Sequence, residues 1–195
     1  MKLYDISQEV FSCTVYPGDP CPERTRLRSM ETGDVYNLTA FSMCAHNGTH
    51  VDAPCHFLLD GRSVEQMELD VFVGECYVAW HKGPVTGADA ELILHRAAGI
   101  PRILIGGDAT VTAEAAEVFA SRAVKLLGNE GQSVGPENAP MQVHKILMNR
   151  GIALLEGILL KGVPEGRYFL NAAPLKLAGA DGAPCRAWLM DRADV

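Results

Sequence analysis

The sequence predicts a single α/β domain built on a mixed sheet, and three observations carry that prediction. Short runs of branched and aromatic residues bounded by glycines alternate with segments of helical spacing. Glycine (19) and proline (11) are spread along all 195 residues, and no repeat, low-complexity tract or linker divides them. The length suffices to close a hydrophobic core without disulfide staples.

Residues 3–6 open the chain as a short strand, and Val15-Tyr16-Pro17-Gly18-Asp19-Pro20 forms a turn because Pro-Gly and Asp-Pro set turn dihedrals. Over 37–43 alternate side chains differ in polarity, consistent with a strand that delivers the chain to His46. Residues 71–80 and 102–106 read as buried strands, rich in branched and aromatic residues. Between them 89–98 has helical spacing, with Leu92, Ile93 and Ala97 on one side and Gly99 as the stop. Thr112 caps a second helix, into which Ala115, Val118 and Phe119 fall. A strand over 124–128, a helix over 140–149 closed by Gly151, a strand over 152–160 and a final pair over 168–172 and 186–190 complete the alternation.

A formal net charge of −7 argues against nucleic-acid or anionic-membrane partners, both of which need a basic face. A small-molecule or protein partner is expected instead. The six cysteines, at 13, 21, 44, 55, 76 and 185, form no C-x-x-C pair and are expected as reduced thiols in a cytoplasmic protein. The opening residues carry Asp5 and no apolar stretch of leader type, and no apolar run approaches the length of a membrane span.

The chemistry concentrates in His46-Asn47-Gly48-Thr49-His50-Val51-Asp52-Ala53-Pro54-Cys55-His56, which holds three of the six histidines. A helical reading, with His46 and His50 on one face as in H-E-x-x-H zinc proteases, fails. Asn47 stands where the general-base Glu belongs, and Gly48, Thr49, Val51 and Pro54 all disfavour a helix. In an extended reading His50 and Asp52 project to one side, and His46 and His56 share their parity. Imidazole and carboxylate form the ligand set of Zn²⁺, Mn²⁺ or Fe²⁺, and the lack of a thiolate pattern points to a catalytic rather than a Cys-rich structural site. The competing reading is a polar loop whose histidines bond to backbone.

H-x-G-T-H-x-D-x-P-x-H, present without substitution, resembles the signature of the cyclase family, which includes bacterial kynurenine formamidases and isatin hydrolases. The resemblance extends to Tyr4-Asp5-Ile6-Ser7, to Tyr16-Pro17-Gly18-Asp19-Pro20, to the stretch from His144 to Glu156, and to Pro174-Leu175-Lys176 with Asp181-Gly182-Ala183-Pro184-Cys185-Arg186. It implies a cyclase-like swivelling β/β/α fold. It further implies that His46, His50 and Asp52 are metal ligands, with Asp52 bridging two ions, that His144 and Glu156 complete the site, and that His56 is the acid/base. Two divalent ions are implied, zinc first, with manganese or iron as alternatives. Glu156 also stands out by itself, since a bare carboxylate within Ala153-Leu154-Leu155-Glu156-Gly157-Ile158-Leu159-Leu160 would be costly to bury and needs a cation to answer it; the alternative is an edge facing solvent. Taken alone, His144 reads equally well as a half-buried helix residue.

The implied activity is hydrolysis of a small-molecule amide or cyclic amide by a metal-activated water, with arylformamidase action on N-formylkynurenine in tryptophan catabolism as the specific form. An isatin-hydrolase-like lactam hydrolase and a non-catalytic metal-binding module are the alternatives. Formamidases of the family carry Trp in the turn where this chain has Tyr16, which is therefore the substrate-binding candidate. They also differ at Gly106-Gly107-Asp108-Ala109-Thr110 and at Asn129-Glu130-Gly131-Gln132-Ser133. The resemblance implies a homodimer or homotetramer. His81, beside the Lys82-Gly83-Pro84 turn, and His95, in the last turn of a helix, are read as structural.

Overall fold

The computed structural model describes residues 1–191. The chain opens with β1 (Leu3–Asp5), a ribbon of β2 (Glu23–Arg28) and β3 (Leu38–Ser42), and the short strand β4 (His50–Asp52). Next come β5 (Val73–Trp80), β6 (Gly83–Val85), α1 (Gly87–Ala97), β7 (Arg102–Gly106), β8 (Ala109–Val111) and α2 (Ala113–Ala120). The remainder is β9 (Leu126–Asn129), α3 (Met141–Met148), β10 (Ala153–Glu156), β11 (Gly166–Asn171), β12 (Gly182–Pro184) and β13 (Trp188–Asp191).

Nine strands join one mixed sheet in the order β1-β13-β11-β5-β7-β9-β10-β4-β12. The run β5-β7-β9-β10 is parallel, as three consecutive crossovers through α1, α2 and α3 require, and the flanking pairs are antiparallel. This is the predicted α/β class. Strand alternation splits the sheet into two apolar faces. Tyr77, Ile103, Ile105, Leu127 and Leu154 pack with the helices, while Val78, Leu104, Leu126 and Leu155 pack with loop residues such as Phe72 and Ile158. Helices α1 and α2 start at side-chain caps, whereas α3 follows Pro140 without one. The Thr86 hydroxyl accepts the Asp89 amide and the Asp89 carboxylate accepts the Thr86 amide, a reciprocal cap, and the Thr112 hydroxyl accepts the amide of Ala115. Ala98, at φ 49°, and Gly99, at φ 88°, end α1 as the glycine predicted.

Three local expectations are corrected, and a fourth element is as expected but lies outside the main sheet. The strand expected over 152–160 stops at Glu156, because Gly157 turns the chain at φ +67°. The turn expected at 82–84 is partly β6, which pairs with β8. Residues 69–71 form a 3₁₀ turn, so β5 begins at Val73. The strand within 37–43 exists but joins only β2, and every residue of this ribbon is exposed.

Candidate metal centre

β4 is short because Gly48, at φ +65°, bends the chain into it and Pro54 opens a 3₁₀ turn just after it. It lies between β10 and β12. Val51 packs in the apolar layer away from the helices, so His50 and Asp52 point to the helix side. Across the antiparallel register Glu156 lies opposite His50, and Leu154 opposite Asp52, so three ligand-type side chains share one face of the sheet. His144 arrives from α3, which packs on that face. The extended reading of 46–56 therefore applies to 50–52 only. His46 lies in the preceding turn and His56 ends the 3₁₀ turn Pro54–His56, and both still reach the same cluster.

His50, Asp52, His144 and Glu156 are each at most 2 % exposed. His50 Nε2 lies 3.3 Å from Asp52 Oδ1 and 3.5 Å from Glu156 Oε2, and His144 Nε2 lies 3.1 Å from Glu156 Oε1 and 3.5 Å from Asp52 Oδ2. The opposite nitrogens fix the tautomers. His50 Nδ1 lies 3.0 Å from the Gly48 carbonyl and His144 Nδ1 lies 2.9 Å from the Pro140 carbonyl. A carbonyl only accepts, so both Nδ1 atoms carry hydrogen and both Nε2 atoms are aimed at the carboxylates. The Val134 amide donates to Glu156 Oε1 at 2.7 Å.

Burial opposes charge on His50 and His144, but bonding to Asp52 and Glu156 outweighs it and raises both to about 10. Asp52 is likewise opposed by burial, yet hydrogen bonds from His144, His46 and His50 hold it well below the usual carboxylate range. Two carboxylates buried at such depth cost on the order of several kcal/mol each unless positive charge answers them. Among the described residues their ion pairs are with histidines alone. Asp52 belongs to two groups whose ligand atoms lie within 4.8 Å of one another, His46–Asp52–His56 and His50–Asp52–Glu156. This all-nitrogen-and-oxygen donor set, without thiolate or competing lysine, fits divalent metal.

The outer rim is wetter. His46 Nδ1 lies 2.8 Å from Asp52 Oδ1, and its Nε2 lies 2.9 Å from Asp181 Oδ2. Burial would push the His46 pKa down, but Asp52 and Asp181 raise it. His56 stacks on His46 with ring centroids 4.1 Å apart and sets its Nδ1 3.1 Å from the same Asp181 oxygen.

The six predicted residues meet here from three separated segments. Residues 4–94 match a family model described as "Putative cyclase". The chain is 34 % identical to the kynurenine formamidase of Erythrobacter litoralis, over 99 % of this chain and 95 % of that one. It belongs to the cyclase family. Among solved structures, one titled as a potential metal-dependent hydrolase with cyclase activity superposes with a TM-score of 0.84 at 31 % identity, covering 98 % of each chain. Isatin hydrolase A from Labrenzia aggregata shares the fold, with a TM-score of 0.84 at 20 % identity, covering 96 % of this chain and 93 % of that one.

The cyclase-family signature opens onto a cavity of about 380 Å³ lined by His46, His50, His56, His144, Glu156 and Tyr16, among others. The Tyr16 hydroxyl donates to the Glu137 carbonyl at 2.7 Å. A larger hollow of about 670 Å³ lies behind the same loop, against Asn47, Gly48 and Thr49, and contains none of the clustered ligands. Thr49 clasps the loop: its hydroxyl donates to the Gly157 carbonyl at 2.6 Å and accepts the Gln8 amide at 2.9 Å. His81 bonds to the Pro84 carbonyl and His95 lies in the last turn of α1, both outside the site as predicted. Asp181, Gln132 and Ser133 line the cavity and were not singled out as site residues. Asp181 was visible within the C-terminal motif, but only its packing against residues 125 and 135 positions earlier reveals its contacts.

Proposed function

We propose that this chain is a metal-dependent hydrolase of carbon–nitrogen amide bonds, and specifically an arylformamidase that cleaves N-formylkynurenine to kynurenine and formate. The observation that carries the reading is Asp52, the one carboxylate shared by two adjoining ligand groups. In this reading zinc would be the native metal, and His46, His50, Asp52, His144 and Glu156 are the residues that would hold two ions. When bound, such ions acidify water and polarise a carbonyl.

The protein groups do the rest. His50 and His144, held as Nδ1–H tautomers by backbone carbonyls, present Nε2 inward without rotamer freedom. His56, 28 % exposed at the cavity wall, takes the proton of the attacking water and passes it to the leaving nitrogen, so amide and water become acid and amine. Tyr16, tethered through its hydroxyl, would wall the substrate pocket with its ring.

The proposed assembly is a homodimer or homotetramer. An isolated two-stranded ribbon is marginal in water, and the β2–β3 ribbon exposes Leu27, Leu38 and Phe41, which a second copy would cover. Among the described residues no helix is long and apolar enough to cross a membrane. The six cysteines are free, in keeping with a reducing cytoplasm.

The test is a panel of N-formylkynurenine, isatin and simple cyclic amides, assayed with chelated protein reloaded with Zn²⁺, Mn²⁺ or Fe²⁺. Formamide cleavage restored by metal is expected. Isatin opening alone would transfer the reading to a lactam hydrolase, and less than one equivalent of bound metal with no turnover would overturn it. His56→Ala should keep its metal while losing about 100-fold or more in kcat. Loss of metal in that variant would make His56 a ligand instead.

A further inference from the structure

We infer that Asp181 is a positioning residue for the proposed reaction, a single carboxylate that orients both the ligand His46 and the proton carrier His56. The inference rests on the metal-hydrolase reading for its consequence and on geometry for its substance. Asp181 Oδ2 lies 2.9 Å from His46 Nε2 and 3.1 Å from His56 Nδ1. An ionised carboxylate only accepts, so both of these nitrogens must carry hydrogen.

His46 Nδ1 faces a second carboxylate, Asp52 Oδ1, at 2.8 Å, so a metal taking that nitrogen as a donor would have to displace its proton, while Nε2–H stays on Asp181. For His56 the hydrogen on Nδ1 leaves Nε2 as the proton-exchanging atom. The stack of the two rings, with centroids 4.1 Å apart and planes 30° apart, is the posture in which one oxygen serves both. Gly182 permits this arrangement. A Cβ there would meet His46 Cε1 at 2.7 Å, so the residue after Asp181 must lack a side chain for the imidazole to reach the carboxylate.

His50 and His144 obtain the same service from neutral backbone carbonyls, whereas His46 and His56 obtain it from a charge. The shared Asp181 oxygen ties the carrier's orientation to that of a ligand.

The experiment uses zinc-loaded full-length protein carrying ¹⁵N-labelled histidine. Two-bond ¹H–¹⁵N correlation spectra should show His56 as the Nδ1–H tautomer in the unaltered protein and as a tautomer mixture in Asp181→Asn. In the same variant kcat should fall about 10- to 100-fold with KM unchanged and zinc content retained at saturating zinc. An Nε2–H tautomer in the unaltered protein, an unshifted tautomer in Asp181→Asn, or a kcat within twofold of the unaltered enzyme would overturn the inference. Loss of zinc that saturation does not restore would also overturn it, by making Asp181 a ligand. If the unaltered protein turned over no amide while the spectra behaved as stated, the hydrolase reading would fall and the orienting role would stand.

Discussion

The two halves of the metal centre are built on different principles. In the deep half, His50 and His144 are almost fully buried, and their outer nitrogens are satisfied by main-chain carbonyls that belong to the same strand–turn or helix–turn unit. At the rim, the side chains of His46 and His56 are 13 % and 28 % exposed, and both turn to Asp181, a residue far away in sequence whose own side chain is 49 % exposed. The difference teaches that imidazole orientation comes from local backbone where water is excluded. The proton traffic proposed above would run where water can reach it, beside one long-range side chain.

Asp52 joins the two halves, so its loss is the strongest way to break the comparison. Asp52→Asn should lower kcat/KM by more than about 1,000-fold, equivalent to roughly 4 kcal/mol of transition-state stabilisation, and should reduce bound metal measured by elemental analysis. Retained metal with retained turnover would show that the halves work independently.

The next effect is one of pH. In chelated protein, His50 and His144 have folded-state pKa values of about 10, above the value of about 6.5 expected in the unfolded chain. A raised folded pKa stabilises fully below pH 6.5 or so, and that contribution drains away as pH rises towards 10. The melting temperature of chelated protein should therefore fall between about pH 7 and 9, while zinc-loaded protein, whose imidazoles have exchanged protons for metal, should change much less. A rise over that interval without metal would contradict the deep-half geometry.

Smaller effects sharpen the contrast. Thr49→Val keeps shape but strands the Gln8 main-chain amide and leaves the Gly157 carbonyl with the Gln8 side-chain amide as its donor, and should cost about 1–3 kcal/mol, read as a drop of several degrees in thermal melting. Tyr16→Phe removes only the tether to the Glu137 carbonyl at an exposed wall, and should change kcat/KM by less than about threefold. A larger change would give the hydroxyl a direct part in substrate binding.

How far each half could be read from sequence follows the same division. His50 and Asp52 were legible because strand parity is a local property, and Glu156 because a carboxylate among leucines and isoleucines is an anomaly in any register. The parallel strands and helices were legible through their periodicity and caps. β12 was not, since Gly182-Ala183-Pro184 has no strand propensity and is extended only because it pairs with β4. β2 escaped notice because Glu23-Arg24-Thr25-Arg26-Leu27-Arg28 buries neither face and carries a single large apolar residue, Leu27, among its charges. Asp181 escaped as a site residue because its value lies entirely in what folding brings beside it.

Gly157 concentrates these dependencies into a single point. A Cβ on it would meet the Gly48 carbonyl oxygen at 2.2 Å, Gln132 Nε2 at 2.4 Å and Gln8 Nε2 at 2.8 Å, in a backbone conformation that already disfavours any side chain. Three chain segments thus converge on one missing methyl group. In a saturation library screened for turnover, alanine at this position should be as damaging as removal of a ligand, although residue 157 itself offers the metal nothing.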